Sequence, residues 1–238
     1  MKMLAIETAT PASSVALGDG EALAAMALQV DRRNHVGFLV PAIDFCFERA
    51  RWKPSDLDAV AVDIGPGPYT GLRAGIATAQ GIAAAVGVPI VVASSLTVLA
   101  LRAATGRRTI HPIVDVRRGQ VATAAFKPVP GGVIRDSAPE ILAPEELSAL
   151  LDSSPDDALL VGDVQCLPEG FVRGLHRVKV GRPRFPGADV LLEIAALKLA
   201  NGDVVDPEDV RPLYMREPDA RINWTDFREE GMWPGATS

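Results

Sequence analysis

The order in which strand-like and helix-like segments follow one another restricts this chain more than any single motif. Residues 4–8 form a compact apolar run containing Glu7, turn chemistry follows at Thr10, Pro11 and Ala12, and residues 14–17 lead into the turn Gly18-Asp19-Gly20. Apolar runs joined by a Gly/Asp turn read as a β-hairpin. Periodicity fits residues 22–30 to a strand or a helix almost equally well, and the hairpin turn before them selects the strand. Over residues 35–50, Val36, Leu39, Val40, Ile43, Phe47 and Ala50 recur at helical spacing, with Phe38, Phe45 and Cys46 on the remaining faces. A helix apolar nearly all round needs two partners. Pro41 either lies in its first turn or bends it. A β-rich run over 57–64, a helix over 71–86, a strand over 89–93 and a helix over 95–104 complete an alternation that builds a parallel-containing sheet covered by helices.

Around Thr109 the pattern restarts. Strands are expected over 110–116, 120–126 and 133–137, a helix over 144–151 opened by Pro144 and two glutamates, and a further strand over 159–161. Residues 189–199 are expected to form an amphipathic helix closed by Asn201-Gly202. The restart is a duplication of pattern, without visible identity between the halves. The expected organisation is a first domain over 1–104, a second over 105–187, a helix over 188–202 packing back on the first, and a flexible tail over 217–238.

With 48% hydrophobic side chains in 238 residues, the chain can bury a substantial core. Its net charge of −6 repels a phosphate backbone rather than collecting one. Cys46 and Cys166 read as two buried free thiols in a reducing compartment. The start of the chain, with Glu7 breaking a short apolar stretch, does not read as a secretory signal, and a cytoplasmic location is expected. The stretch over 74–92 comes nearest to a membrane span but is punctuated by Gly81, Gly87 and Pro89, so no membrane association is expected.

The most distinctive stretch is Gly65-Pro66-Gly67-Pro68-Tyr69-Thr70-Gly71-Leu72-Arg73-Ala74-Gly75, between a strand and a helix. Its spacing fits neither a Walker loop, since Leu72 follows Gly71 where Lys is required, nor a dinucleotide fingerprint, which needs glycine at position 70. Pro66 and Pro68 remove two amide donors, leaving a stiff shape rather than an anion cradle. Thr70 suits the N-cap of the following helix. Arg73 opposes the helix dipole in the first turn, so a carboxylate such as Asp63 or Glu7, or a bound anion, should compensate it. Internal Gly75 and Gly81 each cost ~1 kcal/mol against Ala, a cost recovered where a neighbouring helix or another chain approaches closely.

The three histidines, His35, His111 and His176, have no metal-binding spacing and read as surface or satisfied structural groups; no His-Glu-x-x-His element and no serine elbow occurs. Arg173, Arg177, Lys179, Arg182 and Arg184 form a basic stretch without the aromatic ladder of an RNA-binding module, and read as a solvated face.

Taken together, residues 65–75 closely resemble the signature of the TsaB (YeaZ-like) family. Other segments agree in order: Leu4-Ala5-Ile6-Glu7-Thr8-Ala9-Thr10; His35 with Leu39 and Pro41; Ser94-Ser95-Leu96-Thr97; Asp115-Val116-Arg117-Arg118-Gly119-Gln120-Val121; and Arg211-Pro212-Leu213-Tyr214-Met215-Arg216. Gln120 and Ala122 depart from the Glu and Tyr that members often carry there. The resemblance implies an α/β, actin-like and sugar-kinase-like (ASKHA) fold with two related βββαβα-type halves, the second reduced. It implies a non-catalytic scaffold subunit, required for threonylcarbamoyl transfer to N6 of adenosine 37 in tRNAs reading ANN codons. The expected partners are a TsaD-like catalytic subunit, a TsaE-like ATPase, a second copy when the chain is alone, and tRNA only through the complex. No cofactor of its own is implied; ATP and metal are expected on the partner subunits. The paired histidines of the catalytic paralogue would fall near Ser95 and Leu99, neither able to replace imidazole. The resemblance implies pairing through the first-domain helices, and the apolar and small residues of those helices give the expected contact set Phe38, Leu39, Ala42, Phe45, Ala74, Thr78 and Ala85; the signature residues are Gly65, Pro66, Gly67, Tyr69, Thr70, Gly71 and Arg73. Glu7, Thr8 and Asp115 would lie near any nucleotide. The alternative is an ATP-dependent small-molecule phosphotransferase of the same fold, using Glu7, Asp115 and residues 65–71 around magnesium-ATP.

Overall fold

The computed structural model describes residues 1–20, 22–32 and 34–215; the tail over 217–238 and Arg216 lie outside the described residues. In chain order the strands are β1 (Met3–Glu7), β2 (Ala12–Gly18), β3 (Leu23–Val30), β4 (Ala59–Asp63), β5 (Ile90–Ala93), β6 (Thr109–Asp115), β7 (Val121–Thr123), β8 (Phe126–Val129), β9 (Gly132–Arg135), β10 (Glu140–Leu142), β11 (Ala158–Gly162) and β12 (Val178–Val180). The helices are α1 (His35–Ala50), α2 (Tyr69–Val86), α3 (Ser95–Arg102), α4 (Pro144–Ser153) and α5 (Ala188–Ala200).

The first sheet has the order β3-β2-β1-β4-β5 and the second β10-β7-β6-β11-β12. Both have two antiparallel pairings followed by two parallel ones. One topology used twice is the actin-like, sugar-kinase-like arrangement that the resemblance implies. The second copy is reduced: where α2 stands between β4 and β5, only short 3-10 turns separate β11 from β12.

The strands of the second half differ from the sequence expectation. The run over 120–126 breaks after Thr123, and residues 126–135 turn out as a β8–β9 hairpin hung on β6 through Ile110 and Phe126. Gly131, at φ +83°, makes the left-handed turn of that hairpin. The true third strand is β10, three residues long and too short to show a period of two.

β1 is buried on both faces, which is why it reads as a continuous apolar run. Leu4 and Ile6 point to one side, where they join Val60, Val62, Leu39, Ile43, Phe47, Ile76 and Ala79 under α1 and α2. Met3 and Ala5 point to the other, against Ala61, Val91 and the start of α5. The first two turns of α5 are enclosed nearly all round, with Val190, Leu191, Leu192, Ile194 and Ala195 buried, so it is less amphipathic than expected. Its entry is fixed where Ala188 N donates to the buried Ser14 hydroxyl at 3.0 Å. Leu96, Leu99 and Ala100 of α3 pack on Ile110, Val114, Phe126 and Val161 of the second sheet, so α3 joins the halves. Beyond α5 the chain returns to the first half. Val205 bridges Ile90, the Gln80 side chain donates to Pro207 O at 2.7 Å, and Leu213 N donates to Ile64 O at 2.7 Å.

Cys46 is buried and Cys166 half-buried; both are free, and burial pushes each thiol up to about 11, which keeps it protonated. No helix among the described residues is long and apolar enough to cross a membrane.

Phe126 is among the largest fully buried side chains and sits at the joint between α3 and the second sheet. Phe126→Ala should cost about 3–5 kcal/mol, read as a lowered denaturant midpoint. Ser14→Ala leaves the Ala188 amide without its partner and should cost about 1–3 kcal/mol in the same measurement.

Candidate functional site

The signature segment is held from within. At the end of β4, Asp63 Oδ1 accepts from Gly65 N at 2.7 Å and from the Ser95 hydroxyl at 2.8 Å. Ser95 Oγ also lies 2.9 Å from Pro66 O, and Ser95 N donates to Gly65 O at 2.9 Å. The Gly65–Pro66 peptide is cis. Ser95 therefore spends its hydrogen bonds on the loop, and Leu99 lies in the core, so neither is arranged as a ligand. The other side of the loop presses on the turn after β1. A side chain at Gly67 would collide with Ala9 O, one at Gly71 with Thr8 O, and one at Gly75 with the Thr8 hydroxyl. Thr8 Oγ1 donates to Gly71 O at 2.8 Å. The glycines are thus explained by intrachain contact as far as Gly75, whereas a side chain at Gly81 would meet only open space.

Two expectations for the start of α2 are corrected. The helix begins at Tyr69 with Pro68 at the N-cap, where Leu72 N reaches Pro68 O, so Thr70 is an exposed first-turn residue and not the cap. Arg73 is not answered by Asp63 or Glu7. Its guanidinium lies 3.7 Å above the Tyr69 ring and its Nε donates to the Tyr214 hydroxyl at 3.0 Å, while the two tyrosine rings stack with centroids 4.9 Å apart. Aromatic faces, one of them brought back from 141 residues away, replace the expected carboxylate.

α1 and α2 lie side by side over the same core. Of the expected interface residues, Leu39 and Ala42 point into that core and are buried; Phe38, Ala74 and Thr78 are half-buried; Phe45 and Ala85 are exposed. The most exposed apolar side chains of α1 are Val36 and Val40, 70% and 62% exposed on one edge of its outer face, while Phe45 lies on the other edge. On α2 the exposed face consists of Ala77, Gly81, Ala84 and Ala85. Spacing alone does not separate the two valines from Leu39 and Ile43, since all four recur at helical intervals. The residues that stand inside in place of the valines are His35, Ala42 and Cys46. His35 is buried, with Ser13 Oγ 2.6 Å from its Nδ1, and burial holds it below the usual imidazole range. His111 is also buried and held low for the same reason.

The residues expected near nucleotide fall at analogous places in the two sheets. Glu7 ends β1 and Asp115 ends β6; Asp63 ends β4, and Asp163 follows β11. The pairs have different environments. Arg32, from the first half, reaches across to Asp115 at 3.9 Å and Asp163 at 3.8 Å, and Arg184 closes on Asp163 at 2.9 Å. Glu7 and Asp63 are fully buried. In the basic stretch, Arg177 pairs with Asp157 at 3.3 Å and Arg184 is committed to Asp163 and Gln165, which removes two cations from any RNA-binding row.

Comparison with known proteins agrees with this geometry. The family described as "TsaD: tRNA N6-adenosine threonylcarbamoyltransferase" matches residues 29–150. The tRNA threonylcarbamoyladenosine biosynthesis protein TsaB of Escherichia coli (strain K12) is 32% identical over 222 residues, covering 91% of this chain and 95% of that protein. The solved structure of YeaZ from Pseudomonas aeruginosa superimposes with a TM-score of 0.77 at 28% identity, over 90% of this chain and 99% of that one. The activator of 2-hydroxyisocaproyl-CoA dehydratase from Clostridium difficile, with a TM-score of 0.53 and 12% identity over 90% of this chain and all of that one, shares the fold alone. The chain belongs to the TsaB (YeaZ-like) family of tRNA threonylcarbamoyladenosine biosynthesis proteins.

Proposed function

We propose that this chain is a non-catalytic scaffold subunit for threonylcarbamoyl transfer to N6 of adenosine 37 in tRNAs reading ANN codons. It docks a TsaD-like catalytic subunit through the outer face of α1 and α2. The observation that carries this reading is the exposed apolar pair Val36 and Val40 on one edge of α1, with Phe45 on its other edge, together with the exposed small-residue face Ala77, Gly81, Ala84 and Ala85 of α2, on helices whose opposite faces already fill the core. Exposed branched side chains on one helix beside a small-residue face on the next suit knobs from a partner helix. Gly81 costs helix stability and meets nothing within the chain, which a closely approaching partner would offset. A full interface of standard size buries about 1,600 Å². The same surface suits a second copy of the chain when the catalytic subunit is absent. A TsaE-like ATPase joins the assembled pair, and ATP, metal and tRNA are handled by the complex.

A phosphotransferase of this fold would need strand-end carboxylates free to meet magnesium-ATP. Asp115 and Asp163 are neutralised by Arg32 and Arg184, and Glu7 and Asp63 are closed off from solvent. Those environments favour the scaffold reading.

Mixing the chain with its cognate TsaD-like subunit should give a one-to-one complex by size exclusion with light scattering, and threonylcarbamoylation of tRNA should depend on this chain. Val40→Glu combined with Ala77→Glu should weaken pairing at least about 100-fold, because each places an unpaired charge in a desolvated contact. The lone variant should keep its circular dichroism and melting temperature, since both positions face solvent. Unchanged pairing in the double variant would remove α1 and α2 as the docking surface. Phe45→Ala should cost more than about 1 kcal/mol of binding as an aromatic anchor.

A further inference from the structure

The buried carboxylates at the ends of β1 and β4 lie side by side. Parallel pairing aligns Ala5 with Ala61 and Ile6 with Val62, so Glu7 and Asp63 are the next residues along neighbouring strands, about 4.8 Å apart in the pairing direction. By alternation both share the face of Ala5 and Ala61, toward α3 and α5. Each is fully buried, and each has one oxygen engaged and one orphaned. Glu7 Oε1 accepts from Ala9 N at 2.7 Å while Oε2 has no partner; Asp63 Oδ1 takes Gly65 N and the Ser95 hydroxyl while Oδ2 has none. Among the described residues no cation pairs with either carboxylate; Arg102 favours the Glu7 anion, but less than burial and Asp63 oppose it. Arg102 of α3 makes its ion pair with Asp189 of α5, β2 contributes Ser14 with its hydroxyl spent on Ala188 N, β5 contributes Ala93, and the turn after β1 contributes Thr8 and Thr10. Two adjacent buried carboxylates cannot both remain ionised without such a cation.

We propose that Glu7 and Asp63 are joined by a single proton, carried by Glu7 Oε2 and donated to Asp63 Oδ2, which ties the end of β1 to the end of β4. Asp63 is the anion of the pair because it accepts two further donors. The bond makes Glu7 a positioning residue for the signature segment, since the same Asp63 caps Gly65 and the turn after Glu7 carries Gly67, Gly71 and Gly75. The inference is independent of the partner reading, and every measurement that tests it is made on the chain alone.

Burial, followed by repulsion from Asp63, raises Glu7 well above the ordinary carboxylate range, and burial raises Asp63 to about 7. In the unfolded chain both ionise near pH ~4. The folded chain therefore holds protons that the unfolded chain has lost. The stability they supply is complete below about pH 4 and declines as the pH rises through the folded-state values. The Glu7 proton alone lowers the folding constant by up to about tenfold per pH unit between the unfolded-state and folded-state values.

The infrared spectrum of the folded chain at pH 8 should contain the C=O band of one protonated carboxylic acid, when its exposed carboxyls are ionised. Glu7→Gln, which supplies a permanent N–H donor of the same shape, should remove that band, hold the fold, and flatten the fall in unfolding midpoint as the pH rises above about 4. Should Glu7→Gln fail to fold, Asp63→Asn and the loss of the wild-type band on titration to higher pH supply the same test. Absence of a carboxylic acid band in the wild type at pH 8, or its persistence at full strength in Glu7→Gln, would overturn the shared proton.

Discussion

The close approach of the signature segment to the turn after β1 is the contact on which the rest of the first half depends. Gly67, Gly71 and Gly75 lay backbone directly on Thr8 and Ala9, and the Thr8 hydroxyl seals the contact by donating to Gly71 O. Because no side chain fits between them, the position of α2 over the sheet is fixed by hard contact rather than by adjustable packing. α1 then packs beside α2 on the same core, and the outward face follows from where those two helices are held. Asp63 and Ser95 brace the loop from the opposite side, so the start of α3 is tied to the same point.

The two halves use one topology for different purposes. In the first, the carboxylates at the strand ends are sealed inside and knit the sheet to the signature loop. In the second, the corresponding aspartates face the junction between the halves and are neutralised by Arg32 and Arg184. Neither pair is left exposed and unpaired in the manner of a metal-nucleotide site. The second sheet keeps the strand order but replaces the helix between its fourth and fifth strands with 3-10 turns, so the broad helical face exists only on the first half. That asymmetry is what gives a duplicated fold one candidate docking surface.

Much of the fold was legible in the chain because long segments carry strong periods. The hairpin, α1, α2 and the parallel strands are apolar runs bounded by Gly, Pro and Asp, and the loop motif stands out through residues that only a tight backbone contact requires. The short strands of the second half were not legible, because three residues such as Glu140 to Leu142 are too few to show alternation. Which side of α1 faces solvent was not legible either. An apolar residue three or four positions from a core residue looks buried whether or not it is, and Val36 and Val40 satisfy that spacing while facing solvent.

The sequence by itself determined the fold class, the family and the place of the signature segment between a strand and a helix, because these depend on local pattern and on glycines with one tolerable use. Tertiary structure alone decided which apolar residues remain outside, that Arg73 is met by Tyr69 and Tyr214 instead of a carboxylate, and that Glu7 lies beside Asp63 with an unpaired oxygen on each. The Arg73–Tyr214 and Glu7–Asp63 neighbours are 141 and 56 positions apart in the chain. No local propensity reports such neighbours, since they meet only when the sheet closes and the chain beyond α5 returns.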